Sequence, residues 1–311
     1  HIAWQDLATY WTNRFLDDMQ KLNWIKPTHY LKASEQIPHM ITVIEKIVKN
    51  NSGYVTNGSV YLDTKLFPHF GKLSGFSEEQ MLNTAKKFEE DLTNPDKKHP
   101  LDITLWRASS ENQAEHIPSF TSPWGQGRPG WHIECSAMAM NSLGEQIDIH
   151  GGGIDLIYPH HESEIAQSES ATKKEPFAKY WLHTGTVYKD GEKMSKSLGN
   201  LVMIAELLKI YSPDAIRWML LSHHYRSQWE YNEKELQDAQ EIIALLKKIL
   251  PEESAKPAKN SVLLQTLQEF MDNDMETDKA LAFCVATAKK AKQAELFVIK
   301  DFLHMLGFTL A

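Results

Sequence analysis

The sequence predicts an α/β fold that gives way to an all-α C-terminal region, and three observations carry that reading. Ile147-Asp148-Ile149 alternates apolar and polar side chains and runs into Gly151-Gly152-Gly153, the pattern of a strand that ends where the glycines begin. Pro159 opens His160-His161-Glu162-Ser163-Glu164, and proline is favoured in the first turn of a helix. Beyond Asn200 the apolar periodicity is helical: Ser212-Pro213-Asp214 supplies an N-cap with proline behind it, and Leu236, Ile243, Leu246 and Ile249 stripe a helix that starts near Asn232-x-x-Glu235, a capping-box pattern.

Taken from the N-terminus, Leu7, Trp11, Phe15, Met19 and Leu22 fall on one stripe of a helix over 4–22 and are expected in a core. A turn at Pro27 leads to a second helix over 34–49, with Ile37, Ile41, Ile44 and Val48 expected inward. Asn57-Gly58 between Tyr54-Val55 and Val60-Tyr61-Leu62 is a strong hairpin signal. A third helix is expected over 78–91. Residues 251–260, with two prolines and several charges, read as a linker, and 262–310 as a small helical bundle in which Cys284 is a buried helix residue.

The chain has 311 residues and is 42% hydrophobic, enough for two or three domains with cores of their own. No run of eighteen apolar residues occurs, so no membrane partner is expected, and two cysteines make no disulfide framework, which fits a reducing compartment. The net charge of −8 excludes a generally basic nucleic-acid binder but not a local basic face; Lys289, Lys290 and Lys292 are a candidate patch, set against the simpler reading of a solvated helix face.

The chemistry concentrates between Trp131 and Asn200. On a helix His160 and Glu164 share a face at i,i+4, as His161 and Glu164 do at i,i+3, and Cys135 precedes them. Thiolate, imidazole and carboxylate suit zinc, and three protein ligands with one open position make a catalytic rather than structural site. The competing reading makes Cys135 a small core residue and the histidines a solvated helix start. Three consecutive glycines after His150 leave a backbone that a ligand can approach, with Asp155 just beyond as an acceptor for ribose hydroxyls. Lys193-Met194-Ser195-Lys196-Ser197, between the Asp190-Gly191 turn and Gly199-Asn200, puts two lysines and two hydroxyls on a glycine-flanked loop suited to a polyphosphate.

Together these residues resemble the cysteinyl-tRNA synthetases, class I aminoacyl-tRNA synthetases whose second signature is Lys-Met-Ser-Lys-Ser. The likeness runs from Ser122-Pro-Trp-Gly-Gln-Gly-Arg-Pro-Gly-Trp-His-Ile-Glu-Cys-Ser-Ala-Met138 through Asp148-Ile-His-Gly-Gly-Gly153, Pro159-His-His-Glu162 and Lys193-Met-Ser-Lys-Ser-Leu-Gly-Asn200 to His224-Tyr-Arg-Ser227. It implies a Rossmann-like nucleotide-binding domain, present as its second half, with an inserted domain and then a helical bundle. The implied divisions are 1–22 as a remnant of the first half, 23–116 as the inserted connective domain, 117–200 as the second half with its Lys-Met-Ser-Lys-Ser loop, 201–258 as stem-contact helices and linker, and 259–311 as an anticodon-binding-type bundle. Carried over by position, it makes Cys135, His160 and Glu164 ligands of one Zn2+, Lys193 and Lys196 catalytic with Lys196 on ATP, His150, Gly152 and Asp155 contacts to the adenylate, and Trp131 a wall of the cysteine pocket.

The implied partners are ATP with Mg2+, L-cysteine and the tRNA for cysteine, handled by a cytoplasmic monomer. The family's N-terminal His-Ile-Gly-His signature and its neighbouring cysteine ligand are not found, since His1-Ile2-Ala3-Trp4 shares only two letters with the signature. The expectation is therefore a chain that starts inside the catalytic domain, lacks the family's C-terminal end, and does not catalyse by itself. Two competing readings are a mycothiol-pathway ligase that joins cysteine to an amino-sugar, and a non-catalytic synthetase fragment or paralogue.

Overall fold

The computed structural model describes residues 2–88, 90–110, 117–252 and 261–310, in two compact units: 27–183, and 1–26 with 184–311. The expected boundary at residue 116 and most of the expected linker at 251–260 lie outside the described residues.

Unit 27–183 is built on helix α2 (Ile37–Lys49) and a five-stranded antiparallel sheet. Before it in the chain comes α1 (Trp4–Lys21), which belongs to the other unit. α2 buries Ile37 and Ile44 as expected, together with Met40, Val43 and Ile47, whereas Ile41 and Val48 are only partly buried; the inward stripe is centred on Met40, Ile44 and Ile47. The hairpin β1 (Gly53–Thr56) and β2 (Ser59–Leu62) turns at Asn57 and Gly58, both at positive φ, as its sequence predicts. α3 (Glu78–Lys87) starts at a full Ser77/Gln80 capping box and stops short of the expected residue 91. Strands β3 (Ile103–Ala108), β4 (Phe120–Ser122) and β5 (Gly125–Pro129) complete the sheet in the order β1-β2-β3-β5-β4.

Two helices then lie side by side over this sheet's core cluster: α4 (Trp131–Leu143) and α5 (Glu162–Thr172). Between and after them, β6 (Ile147–Gly153) pairs with β7 (Ala178–Thr184). β6 runs through all three glycines, so the strand does not end at Ile149 as its alternation suggests; glycine lets it continue where side chains would collide. α5 begins three residues after Pro159, because Tyr158 keeps an extended backbone at φ −136 and ψ 132.

The sequence of α5 is polar, yet every residue from Glu162 to Ala171 is buried. Burying carboxylates is tenable only where donors meet them. Glu162 accepts from the backbone N–H groups of Gly71 (2.9 Å), Leu73 (3.1 Å) and Ser74 (2.9 Å). Glu169 accepts from the Lys72 ammonium at 3.1 Å and from Phe177 N–H at 3.0 Å. These two glutamates tie the 71–74 loop and the entry to β7 onto one helix.

The other unit holds the hairpin β8 (Val187–Lys189) and β9 (Glu192–Lys193), with α6 (Ile204–Leu207) and α7 (Pro213–Leu221) after it. β10 (Trp229–Glu230) comes next and pairs in parallel with β8. α8 (Glu233–Ile249), α9 (Val262–Asp272), α10 (Thr277–Ala288) and α11 (Gln293–Met305) pack with α7 around one apolar core that contains Cys284. Ser212 caps α7 as expected, while Asn232 caps α8 through Lys234 N–H alone. α7 anchors both ends of the unit: Arg217 donates to carbonyls of Leu22 and Asn23 after α1 and of Leu306 after α11, and Asp214 accepts from Thr309 and Leu310. α1 departs from expectation, for it buries no residue and leaves Leu7, Trp11 and Phe15 exposed; of the predicted stripe only Leu22, just beyond its end, is buried.

Replacing Glu162 by alanine should orphan three backbone N–H groups next to α5 and lower unfolding free energy by about 3 kcal/mol or more. Urea denaturation with an unchanged midpoint would show that the loop is held some other way.

Candidate active site

α4 is set against β3 by a glycine. A Cβ on Gly130, the residue before the helix, would stand 2.0 Å from the Thr104 carbonyl oxygen, and Gly130 N–H donates to the Leu105 carbonyl at 3.0 Å. From this fixed start Trp131, His132 and Cys135 project from the first turns of α4. A buried hydrogen bond from Ser136 Oγ to Gln167 Oε1, 2.7 Å, sets the register of α4 on α5. The outcome is that Cys135 Sγ, one nitrogen of His160 and one oxygen of Glu164 lie within 4.8 Å of one another.

Glu164 is wholly buried. Its Oε1 is 2.9 Å from His160 Nε2 and its Oε2 is 3.2 Å from His150 Nε2, close contacts that lack hydrogen-bond geometry, so both oxygens are buried without a donor. A carboxylate buried with no donor to either oxygen calls for a cation.

A line of contacts sets the ring of His160. His132 Nε2 lies 3.2 Å from Glu90 Oε1, and His132 Nδ1 lies 2.8 Å from His160 Nδ1. Burial pushes His132 down, so it is neutral, and its hydrogen bond holds Glu90 low and ionised. In the tautomer where Glu90 accepts from His132 Nε2–H, His132 Nδ1 accepts from His160 Nδ1–H, and the His160 Nε2 lone pair faces Glu164 and Cys135. Two lone pairs facing each other at 2.9 Å repel unless a cation sits between them, and a carboxylate behind a histidine is the usual outer shell of a metal ligand. Burial, then the charges of Glu164 and Glu134, pushes the Cys135 thiol up to about 12, so it becomes a thiolate ligand only where a positive charge draws its proton off. The donor set, soft sulfur with imidazole and carboxylate, fits zinc.

Glu90, on the segment after α3, and His132 had no motif to announce them; the only signal was a histidine next to Trp131. Glu164 also belongs to a second convergent group, with His150 and His161. His161 is fixed from behind by His183, 2.8 Å between Nδ1 and Nε2, and burial pushes it down to about 3. The Trp131 ring is about half exposed and its centroid is 4.4 Å from that of His160, so it lies against that ring of the cluster.

Gly152 has a packing role in addition to any ligand role. A Cβ there would stand 2.8 Å from His161 Cε1 and 3.0 Å from Leu156 Cδ1, so its vacant side is filled by the His161 ring. Asp155 lies below the strand end, its Oδ1 2.5 Å from where a Cβ of Gly153 would be.

Lys193 and Lys196 are exposed and belong to the other unit. Their loop is closed by Asn200, whose side chain accepts from Ser195 N–H at 2.8 Å and donates to the Lys193 carbonyl at 3.1 Å. Gly199 at φ +64 makes the return turn. Asn200 is thus a staple of the loop, a role that its place at the end of the motif did not reveal.

This fold with its Lys-Met-Ser-Lys-Ser loop defines a class I aminoacyl-tRNA synthetase catalytic domain, and residues 1–241 match the family "tRNA synthetases class I (C) catalytic domain". The chain belongs to that family, in its cysteine–tRNA ligase branch: it is 39% identical over 315 residues to a cysteine–tRNA ligase of Legionella pneumophila (strain Corby), covering 99% of this chain and 67% of that protein. It is 44% identical over 273 residues to one of Dehalococcoides mccartyi, covering 86% and 58%. It is 43% identical over 276 residues to one of Haemophilus influenzae (strain PittGG), covering 88% and 58%. The chain therefore spans 58% to 67% of the length of these relatives. In fold it is similar to Mycobacterium tuberculosis methionyl-tRNA synthetase in complex with methionyl-adenylate, with a TM-score of 0.59, 14% identity, and 98% and 76% of the two chains covered. A putative arginyl-tRNA synthetase from Campylobacter jejuni aligns with a TM-score of 0.52 at 13% identity, over 98% and 67% of the chains.

Gly152→Ala should displace the His161 ring and lower stability by about 1–3 kcal/mol through overpacking. Denaturation together with the imidazole NMR signals of His161 and His183 checks this; signals and midpoint both unmoved would mean that the strand shifts freely.

Proposed function

We propose that this chain carries the cysteine-activating site of a cysteine–tRNA ligase, which converts cysteine and ATP to cysteinyl-adenylate and pyrophosphate and passes the cysteinyl group to the tRNA for cysteine. The observation that supports this most directly is the convergence of Cys135, His160 and a donor-less Glu164 beside Trp131, in a chain of that family. In this reading those three residues would hold Zn2+, which would supply a Lewis acid that favours a substrate thiolate over a hydroxyl. Selection of cysteine over serine then rests on binding, without a separate editing site.

The chain's own residues do the remaining work in this proposal. Glu90 and His132 keep His160 Nε2 turned to the cluster, and Trp131 walls the pocket and keeps water from one side. His150, Gly152 and Asp155 contact the adenylate. Lys193 and Lys196 neutralise charge that develops on the phosphates of ATP and its Mg2+. Residues 23–116 are proposed as the connective insertion, 117–200 as the second half of the nucleotide fold, 201–258 as stem-contact helices, and 259–311 as a tRNA-contacting bundle. The exposed lysines 289, 290 and 292 between α10 and α11 are candidates for phosphate contacts in that bundle. A monomer in the cytoplasm is the proposed setting; among the described residues no helix is long and apolar enough to cross a membrane.

Metal analysis of the purified protein should find about one zinc per chain, and Cys135→Ala should lose it, since a thiolate is the strongest of the three ligands. Full zinc retention in that variant would place the metal elsewhere. In the full-length protein, Lys196→Ala should slow cysteine-dependent ATP–pyrophosphate exchange by about 10²–10³, the usual effect of removing one transition-state charge donor. An unchanged exchange rate would remove Lys196 from the mechanism.

A further inference from the structure

The loop that joins α7 to β10 is gripped from the α9–α10 junction by a single side chain. Asp274 Oδ2 accepts from Arg226 Nε at 2.7 Å, its Oδ1 accepts from Arg226 Nη2 at 3.1 Å and from the Tyr225 hydroxyl at 2.6 Å, and its carbonyl lies 3.1 Å from His224 Nε2. The fork of two guanidinium contacts is the strong, orienting form of an ion pair. Those contacts hold the Asp274 carboxyl low, at about 2, with Arg226 the first cause and Tyr225 the second.

The backbone that offers this carboxylate is strained. Asp274 and Met275 both stand in the left-handed region, at φ 58 and 54, with neither a glycine. Two such residues in succession persist where the surroundings over-determine them. A junction that needed only to reverse direction between two helices would do so with glycine; this one presents an acidic side chain to the 224–227 loop.

What the grip controls is the far side of that loop. Tyr225 accepts through its carbonyl from Gly185 N–H at 2.7 Å, at the entry to the lysine hairpin. A Cβ on Gly185 would stand 2.0 Å from the Ser227 carbonyl oxygen, so the two backbones are in direct contact. The chain then enters β10, whose Trp229 and Glu230 pair with Val187 and Tyr188 of β8. Glu230 Oε1 accepts from Gly191 N–H at the tip of the β8–β9 hairpin, 3.0 Å. Lys193 ends β9, and Met194 N–H donates to Val187 O at 3.0 Å, so the lysine loop hangs from a three-stranded sheet whose other edge is β10. Strands of two and three residues have little stability of their own.

We infer that Asp274 is a positioning residue for the lysine loop: its clamp on Tyr225 and Arg226 fixes β10, β10 fixes the β8–β9 hairpin, and the pose of Lys193 and Lys196 thereby depends on the α9–α10 junction. The C-terminal helices and the phosphate-handling loop are one mechanical unit, and a ligand that moves the junction of α9 and α10 moves the lysines. This inference rests on the proposed role of Lys196.

The test compares Asp274→Ala, Arg226→Ala, the double variant and Asp274→Asn in the full-length protein, with Lys196→Ala and Cys135→Ala as controls. The readouts are cysteine-dependent ATP–pyrophosphate exchange and hydrogen exchange at the Met194 and Tyr231 amides. Each single alanine variant should lower kcat for exchange by about tenfold to a hundredfold, the scale of a misplaced catalytic group, with KM for cysteine unchanged. The double variant should be no worse than Asp274→Ala, since Arg226 acts in the clamp only through that carboxylate. Asp274→Asn, which keeps the Tyr225 partner and tolerates the left-handed backbone, should recover part of the loss, and the Met194 amide should exchange faster in both alanine variants. A fall in melting temperature with kcat and Met194 protection intact would overturn the inference and leave the clamp a structural tie, as would losses that add in the double variant. If Lys196→Ala exchanges normally the functional reading fails; if it is impaired while both clamp variants are normal, only this inference fails.

Discussion

The burial of Glu164 is the constraint on which the site depends. Three glutamates of α5 are buried, and the structure meets the charge of each differently: Glu162 with three backbone N–H groups, Glu169 with a lysine and a backbone N–H, and Glu164 with imidazoles that approach both oxygens without hydrogen-bond geometry. A helix that spends ten consecutive positions in the interior while carrying this much polarity gains little from apolar transfer; its stability rests on donors and acceptors, and Glu164, the carboxylate of the three that is left without a donor, marks where a cation belongs. The same logic explains the neighbouring packing. His161 fills the space that Gly152 leaves, and Ser136 binds Gln167 at the core of the α4–α5 contact. Each of these fixes a group adjacent to a residue of the cluster.

Much of this was legible in the sequence, but unevenly. The i,i+4 spacing of His160 and Glu164 survives although His160 lies before the start of α5, because His161 and Glu162 keep right-handed helical backbone and the face is therefore shared. The hairpin at Asn57-Gly58 and the cap at Ser212 are local devices whose chemistry is complete within a few residues, so reading them needs no tertiary knowledge. Glu90 was illegible for the opposite reason. It meets His132 across forty-two positions, and no periodicity encodes a contact of that separation.

The misreadings also have physical causes. On α2 the inward arc takes in Met40, Val43 and Ile47, so a stripe drawn through Ile41 and Val48 lies partly off-centre; both residues are apolar enough to be tolerated at its margin. On α1 the periodicity is real, but amphipathicity shows only that a face is apolar, not that this chain covers it, and here Leu7, Trp11 and Phe15 remain exposed. At β6 the glycines were read as a stop, whereas they allow the strand to pass beside His161 and Leu182; a run of glycines signals close approach as readily as a turn.

The lysine loop shows how such a protein can keep an exposed element accurate. Lys193 and Lys196 are exposed, and a charged loop in water gains little from its own contacts. Its order comes from covalent neighbours that are themselves pinned: Asn200 closes the loop on Lys193 and Ser195, the hairpin holds Lys193 through Tyr188, and β10 holds the hairpin. These contacts act on the backbone of the loop and on the Asn200 and Ser195 groups that close it, so they fix the path of the chain that carries the two lysines. An arrangement of this kind separates positioning from chemistry, and it puts the positioning residues where a substrate would never meet them: at the end of the motif in Asn200, and seventy-eight positions beyond Lys196 in Asp274.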